Sequence, residues 1–309
     1  MKRIFKTFIF LIIFVLVFTY REEIVKTVVK TYMQYETINL PDSNVYSDDF
    51  NFELVKRTED FHVKSYQHML NIIYTVLDNG ANEFSFYCDS SYENCLKDFE
   101  VLSQNQVLLS TINNMVAPYN SYSKIYFKFN SYGQITMNID KLYSDDEINL
   151  IENKINEFIS SNIKDDMNVT QKIKLFHDYL INNSVYDKDR AQAIENGTDI
   201  SISSSHKATG PLIDGISLCS GYSDAMKIYL DKLKVSNYKV SNANHIWNLV
   251  NVDNKWLHLD LTWDDPVTST GQNLLLHKFF LIDTDTLLNL DPNGHSFNTD
   301  YYPELKNQG

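Results

Sequence analysis

The sequence predicts an α+β chain, and three patterns carry that reading. Met69, Ile72, Ile73, Val76 and Leu77 recur at the spacing of one helix face. Apolar residues alternate around short turns at 125–139 and again at 245–263, which predicts antiparallel hairpins. Between those hairpins, "SGYSDAMKIYLDKL" reads as a helix opening at a cysteine, with Tyr222, Met226, Tyr229 and Leu233 on one side.

At 309 residues the chain exceeds the usual single-domain size, so two folded units are expected. The first segment, "MKRIFKTFIFLIIFVLVFTYREE", sets Lys2, Arg3 and Lys6 ahead of an apolar run, Phe8–Phe18. That length suits a signal h-region better than a full span of roughly 20 residues. No small-x-small cleavage site follows, because the chain runs straight into Tyr20-Arg21-Glu22-Glu23. Residues 1–20 therefore read as an uncleaved signal-anchor, single-pass in the cell membrane, with the rest of the chain extracytoplasmic. Secretion after signal cleavage is the alternative. Residues 21–54 read as a juxtamembrane helix and a linker, "NLPDSNVYSDDF" carrying the Pro, Asp, Asn and Ser of a spacer.

Residues 55–142 read as a smaller α+β domain. The helix through Met69–Leu77 stops at Asn79-Gly80, and "EFSFY" (83–87) is a strand. Helical pieces follow at 96–102 and 107–115, ended by Pro118. Ile125, Phe127 and Phe129 then pair with Ile135, Met137 and Ile139 through a turn at Gly133. No chemistry-bearing motif lies here.

Residues 143–309 hold the candidate chemistry. Ser144 and Glu147 form a capping box ahead of Ile148, Ile151, Ile155 and Phe158, and Asn168 with Gln171 repeats it ahead of Ile173, Phe176 and Leu180. "NNSVYDKDR" and a polar loop, about 188–210, lead to the cysteine helix. Strands at 245–252 and 255–263 flank Asp253-Asn254.

Composition narrows the function. The formal net charge is −13, which argues against nucleic acid as a partner because phosphate binding needs a basic face. There are three cysteines. Cys88 and Cys95 lie close in "FYCDSSYENCLKDF" and either pair in an oxidising compartment or remain thiols. Cys219 is then the odd cysteine of an exported chain, which suggests a free reactive thiol. There is no C-x-x-C and no ligand spacing among the histidines, so no metal or cofactor is expected.

A cysteine nucleophile works as its thiolate, which the N–H groups and dipole of a helix start favour. It also needs a histidine partner and a group to orient that histidine. A two- or four-residue turn centred on Asp253-Asn254 sets Trp247 opposite Asp260 and Leu249 opposite His258. His245, Trp247, His258 and Asp260 then share one face, whereas a three-residue turn would break the arrangement. On spacing alone, both His245 and His258 are within reach of Asp260. The plainer alternative is a small buried cysteine and two core histidines.

Taken together, "CSGYSDAM", "HIWNLV" and "KWLHLDLTWDDP" resemble the bacterial branch of the transglutaminase-like superfamily in order, spacing and flanking aromatics. The upstream "QKIKLFHDYLINNSVYD" extends the likeness, which covers roughly 165–290. The resemblance implies a papain-like α+β transglutaminase-core domain, with the cysteine helix packed on an antiparallel sheet. It implies Cys219 as nucleophile, His245 as base and Asp260 as orienting carboxylate, and it sets His258 aside. Trp247, Asn248, Ser220 and Tyr222 would shape the substrate site, with Ser220 standing where many members have Gln. Asp264-Asp265-Pro266 would be a turn, and His177 structural. The Cys219 backbone N–H is the one oxyanion donor the resemblance supplies. The implied activity is peptidase, amidase or acyl transfer on a protein or peptide substrate, in a cell-wall setting. The alternative is a catalytically silent envelope module that uses the same fold for binding or as a scaffold.

Overall fold

Two helices open the chain, α1 (Lys2–Thr19) and α2 (Arg21–Gln34). The computed structural model describes residues 2–34, 36–48, 50–198, 201–266 and 274–307. Among these, no helix is long and apolar enough to cross a membrane. The spanning anchor expected from the sequence is therefore not supported. The physical reason is length: the run Phe8–Phe18, exposed throughout, is about 16 Å long at 1.5 Å per residue. A hydrocarbon core is about 30 Å thick, and Lys2, Arg3 and Lys6 occupy the helix's first turns.

The segment after α2 does not run free as a spacer. Asn79 Nδ2 donates to the Pro41 carbonyl, Ser47 Oγ to Asp78, and Asn44 Nδ2 to Asn120. Arg57 also pairs with Asp78, and Phe52 and Val55 are buried.

The first sheet has the order β1-β2-β4-β3, with β1 (His62–Val63), β2 (Glu83–Cys88), β3 (Tyr122–Phe129) and β4 (Gln134–Lys141). Helices α3 (Tyr66–Asn79), α4 (Cys95–Gln104) and α5 (Gln106–Met115) accompany it. Ser65 caps α3, and Gly80 ends it at φ 86°, a conformation that favours glycine. The β3–β4 register pairs Ile125 with Ile139, Phe127 with Met137 and Phe129 with Ile135, so the alternating residues of the sequence meet across the hairpin. Cys88 and Cys95 are joined as a disulfide between the end of β2 and the start of α4.

Helices α6 (Asp145–Asn162) and α7 (Val169–Asn183) both begin with complete capping boxes. Strand β5 (Val185–Tyr186) pairs in parallel with β6 (Ile216–Ser217), and between them lies α8 (Lys188–Glu195). The sequence suggested a polar loop at 188–210. Helix α8 was hidden because none of its residues is buried, so no apolar stripe marks it.

Helix α9 (Cys219–Lys232) packs on an antiparallel sheet of order β7-β8-β9, with β7 (Asn237–Ser241), β8 (Ile246–Val252) and β9 (Lys255–Leu259). Residues Gly221–Leu230 of α9 are all buried, not only one face. Gly221 is required by close approach: a Cβ there would stand 2.5 Å from the Ser205 carbonyl oxygen and 2.6 Å from Ser217 Oγ. Asp253 and Asn254 take φ of 52° and 63°, as a two-residue hairpin turn demands, and Leu249 faces His258. Strand β9 ends at Leu259, and residues expected to extend it form the short helix α10 (Leu261–Asp264). Asp260 terminates the strand by accepting the N–H groups of Thr262 and Trp263. Helix α11 (Thr284–Leu290) precedes the C-terminal segment.

The β7-β8-β9 sheet is covered on both faces. Tyr238, Val240, Trp247, Leu249 and Trp256 join one core with Phe52, Ile112 and Met115. Val250, Val252 and Leu259 join a second core with α6, α7 and α9. This burial fixes the sheet's register against α9 and so fixes what stands at the sheet's end.

Candidate active site

Cys219 is the first residue of α9. Leu218 precedes it in extended conformation and gives no side-chain cap, so the first N–H groups of the helix have no side-chain acceptor there. The thiol is free and half-buried.

His245 precedes β8 and Asp260 follows β9, so the antiparallel pairing brings both to one end of the sheet. The His245 loop is fixed by Asn242: its Oδ1 accepts the His245 N–H at 2.9 Å, and its N–H donates to the His245 carbonyl at 3.0 Å. His245 Nε2 lies 2.5 Å from Asp260 Oδ2. Burial alone pushes the imidazole down, but the Asp260 charge and hydrogen bond, with added help from Cys219, raise it to about 10. Burial pushes the Asp260 carboxyl up, yet His245 and His295 together hold it well below the usual carboxylate range. His245 thus interacts with both Asp260 and Cys219, and its Nε2 is engaged by the carboxylate.

His258 shares the face but has a different setting. It is fully buried, accepts Trp247 Nε1–H on Nδ1 at 3.0 Å, and meets Thr284 Oγ1 through Nε2 at 3.0 Å. Burial and the nearby His295 charge push it down to about 3, so it is neutral and structural.

The expected site-shaping residues divide. Ser220 is half-buried beside Cys219, and the Trp247 ring stacks on His245 at 5.4 Å. Tyr222 and Asn248 do not line the site, because both are turned into the interior. Tyr222 donates to Asp265 at 2.6 Å and accepts from Ser184, while Asn248 Nδ2 ties β8 to the Ser223 carbonyl of α9. Strand alternation makes this necessary, since Trp247 and Asn248 point to opposite faces. Trp263, by contrast, is 41% exposed with its ring 6.5 Å from His245, so it is the aromatic presented beside the site.

Asp264 accepts the N–H groups of Lys278 and Phe279, and its other oxygen faces the buried His177 at 3.3 Å. His177, Asp178 and His277 bring donor atoms close enough to share a metal ion, as do His245, Asp260 and His295. In the first set the Lys174 ammonium already stands 2.5 Å from Asp178 and 2.8 Å from His277. The second set is linked internally by hydrogen bonds.

One residue of the site escapes the sequence reading. His295 Nε2 lies 2.8 Å from the same Asp260 oxygen that faces His245. The available signal was Asp291 and His295 at i, i+4 around a glycine in "DPNGHSF".

The chain is an α+β protein whose cysteine-bearing helix packs on an antiparallel sheet with a His–Asp pair at its end. No family model matches it, and no curated protein matches it. Among solved structures it is similar to a TGase, at 18% identity over 46% of this chain and 44% of that one, with a TM-score of 0.33. It is also similar to a protein from Cytophaga hutchinsonii described as a "Putative Cysteine Protease", at 11% identity over 45% of this chain and 61% of that one, with a TM-score of 0.27. The chain spans less than two thirds of either structure.

Proposed function

We propose that the chain is an extracytoplasmic thiol enzyme acting on amide bonds of proteins or peptides. One observation carries the reading: a free cysteine at a helix start, beside a histidine that a buried carboxylate holds by its far nitrogen. In the proposed reaction Cys219 Sγ attacks the amide carbonyl carbon, and the Cys219 backbone N–H serves the developing oxyanion. The C–N bond breaks as His245 gives its proton to the departing amine, leaving a thioester. Water attacking the thioester gives hydrolysis, and an amine gives acyl transfer. Asp260 keeps His245 in the orientation and charge state that both steps use.

The free thiol makes the test direct, because Cys88 and Cys95 are joined. Iodoacetamide at about pH 6 is expected to label the wild type at least about tenfold faster than a simple thiol, which is scarcely ionised there. Labelling should vanish in Cys219→Ala and slow about tenfold or more in His245→Ala. Labelling that survives Cys219→Ala, or that runs at the rate of a simple thiol in the wild type, sinks the proposal.

Export is supported by the disulfide and by the basic-then-apolar start of α1. We read α1 as an export leader. Mass spectrometry of the protein from its native host should place the mature N-terminus beyond Tyr20; an intact Met1 on protein recovered from the cytosol would overturn that reading.

A further inference from the structure

His295 stands between two carboxylates. Its Nε2 is 2.8 Å from Asp260 Oδ2, and its Nδ1 is 2.9 Å from Asp291 Oδ2. The side chain is fully buried. An ionised carboxylate only accepts hydrogen bonds, and a neutral imidazole has one N–H to give. Both contacts are hydrogen bonds at once only in the imidazolium.

The surroundings suit a cation. Phe279 stacks on the His295 ring at 5.2 Å, with Trp247 at 4.9 Å and Trp263 at 5.2 Å. Aromatic faces attract positive charge. The local backbone is shaped for the Asp291 contact as well. A Cβ on Gly294 would come within 2.1 Å of Asp291 Oδ2 and 2.9 Å of the Trp263 ring.

We propose that His295 is a positioning residue of the site, with Asp291 as its counter-ion. The inference rests on the catalytic reading of Cys219, His245 and Asp260. Asp291, His295, Asp260 and His245 form one hydrogen-bonded chain that alternates in charge and ends at the thiol. The first consequence is orientation. Asp260 Oδ1 is held by backbone N–H groups, and His295 holds Oδ2, so the carboxylate cannot turn away from His245. The second is charge. A cation behind Asp260 offsets part of its pull on His245 and limits how tightly His245 keeps its proton. The titratable groups facing His295 are Asp260, Asp291, His245 at 5.3 Å between ring centroids, and His258.

The test is alkylation of the full chain by iodoacetate, an anion that a thiolate–imidazolium pair attracts, from about pH 4 to about pH 11, the range in which cysteine and histidine titrate. Thermal melting is recorded alongside. The descending limb at high pH reports loss of the His245 proton. His295→Gln keeps a donor but removes the charge, and its descending limb is expected to move up by about half a unit or more. Asp291→Asn removes the counter-ion with no change of shape. It removes a negative charge while its amide oxygen still accepts from His295 Nδ1, so His295 stays paired with Asp260 and the limb should move down, opposite to His295→Gln. Asp291 lies at the edge of the cluster, so this variant carries the test if His295→Gln does not fold. Both variants melting lower with the limb unmoved would reduce His295 to packing and overturn the inference alone. A wild-type profile without a descending limb, or a limb that survives His245→Ala, overturns the catalytic reading and takes this inference with it.

Discussion

Asp260→Asn is expected to lower amide turnover by about 10⁴-fold while the chain stays folded. The geometry dictates how the amide must sit. Asp260 Oδ1 accepts the N–H groups of Thr262 and Trp263, so the amide oxygen of the variant is kept there. Its NH₂ group is then forced into the place of Oδ2, where it faces Nε2 of His245 and Nε2 of His295. A donor meets a donor at both rings. His245 can relieve this only by carrying its proton on Nδ1 and accepting on Nε2, which is the wrong tautomer to take a proton from Cys219.

The pH dependence of the same variant has a definite sign. His245 is raised to about 10 chiefly because the Asp260 charge and hydrogen bond outweigh burial. Without that charge, burial dominates and His245 falls toward or below the ordinary histidine value of about 6.5. The descending limb of iodoacetate alkylation should therefore move down by more than about a unit, opposite to the shift expected for His295→Gln. The same raised histidine also makes stability depend on pH. A histidine raised on folding contributes fully below about pH 6.5 and loses its contribution as pH rises through about 10. Retention of more than about a tenth of wild-type turnover in Asp260→Asn would remove Asp260 from the proposed triad.

How much of this was legible differs by element, and the differences are physical. The His245–Asp260 pairing follows from the even parity of a turn centred on Asp253-Asn254, and those two residues adopt the positive φ of a two-residue turn. Strand β7 is not legible because its alternation rests on two apolar residues alone, Tyr238 and Val240, and its polar positions Asn237 and Lys239 are buried as well. A buried lysine in a strand makes sense only once its partner, Asp224 on α9, is known, and no local pattern announces that contact. Helix α10 reads as strand because Leu257, Leu259, Leu261 and Trp263 carry the alternation of β9 through it, although Asp260's local capping of Thr262 and Trp263 ends the strand. His295 joins the site across a sequence separation of 35 from Asp260, on a loop without periodicity. Tyr222 and Asn248 were expected at the site because motif proximity does not say which way a side chain points. They instead fasten α9 to its surroundings.

The fastening of α9 gives the second large effect, a loss of about 3–5 kcal/mol on Asp224→Ala. Asp224 Oδ1 lies 2.5 Å from Lys239 Nζ, and both side chains are buried. Asp224 Oδ2 accepts the Tyr143 hydroxyl at 2.7 Å, and that hydroxyl in turn accepts the Ala208 N–H at 2.8 Å. Truncation strands an ammonium in the interior with no counter-charge and leaves a phenol without its acceptor. The damage is not confined to stability. Asp224 lies on the same helix as Cys219 and ties it both to β7 and to the segment that packs on Gly221. Urea denaturation should show the loss of stability, and iodoacetamide labelling of the folded fraction should slow as the helix start loses its fixed place. Replacing both charges, with Asp224→Leu and Lys239→Met together, should recover most of the stability, because the lone buried charge rather than the missing ion pair is the larger cost. A cost below about 1 kcal/mol for Asp224→Ala, typical of a surface pair, would show that water reaches Lys239 and that α9 is held by its other contacts.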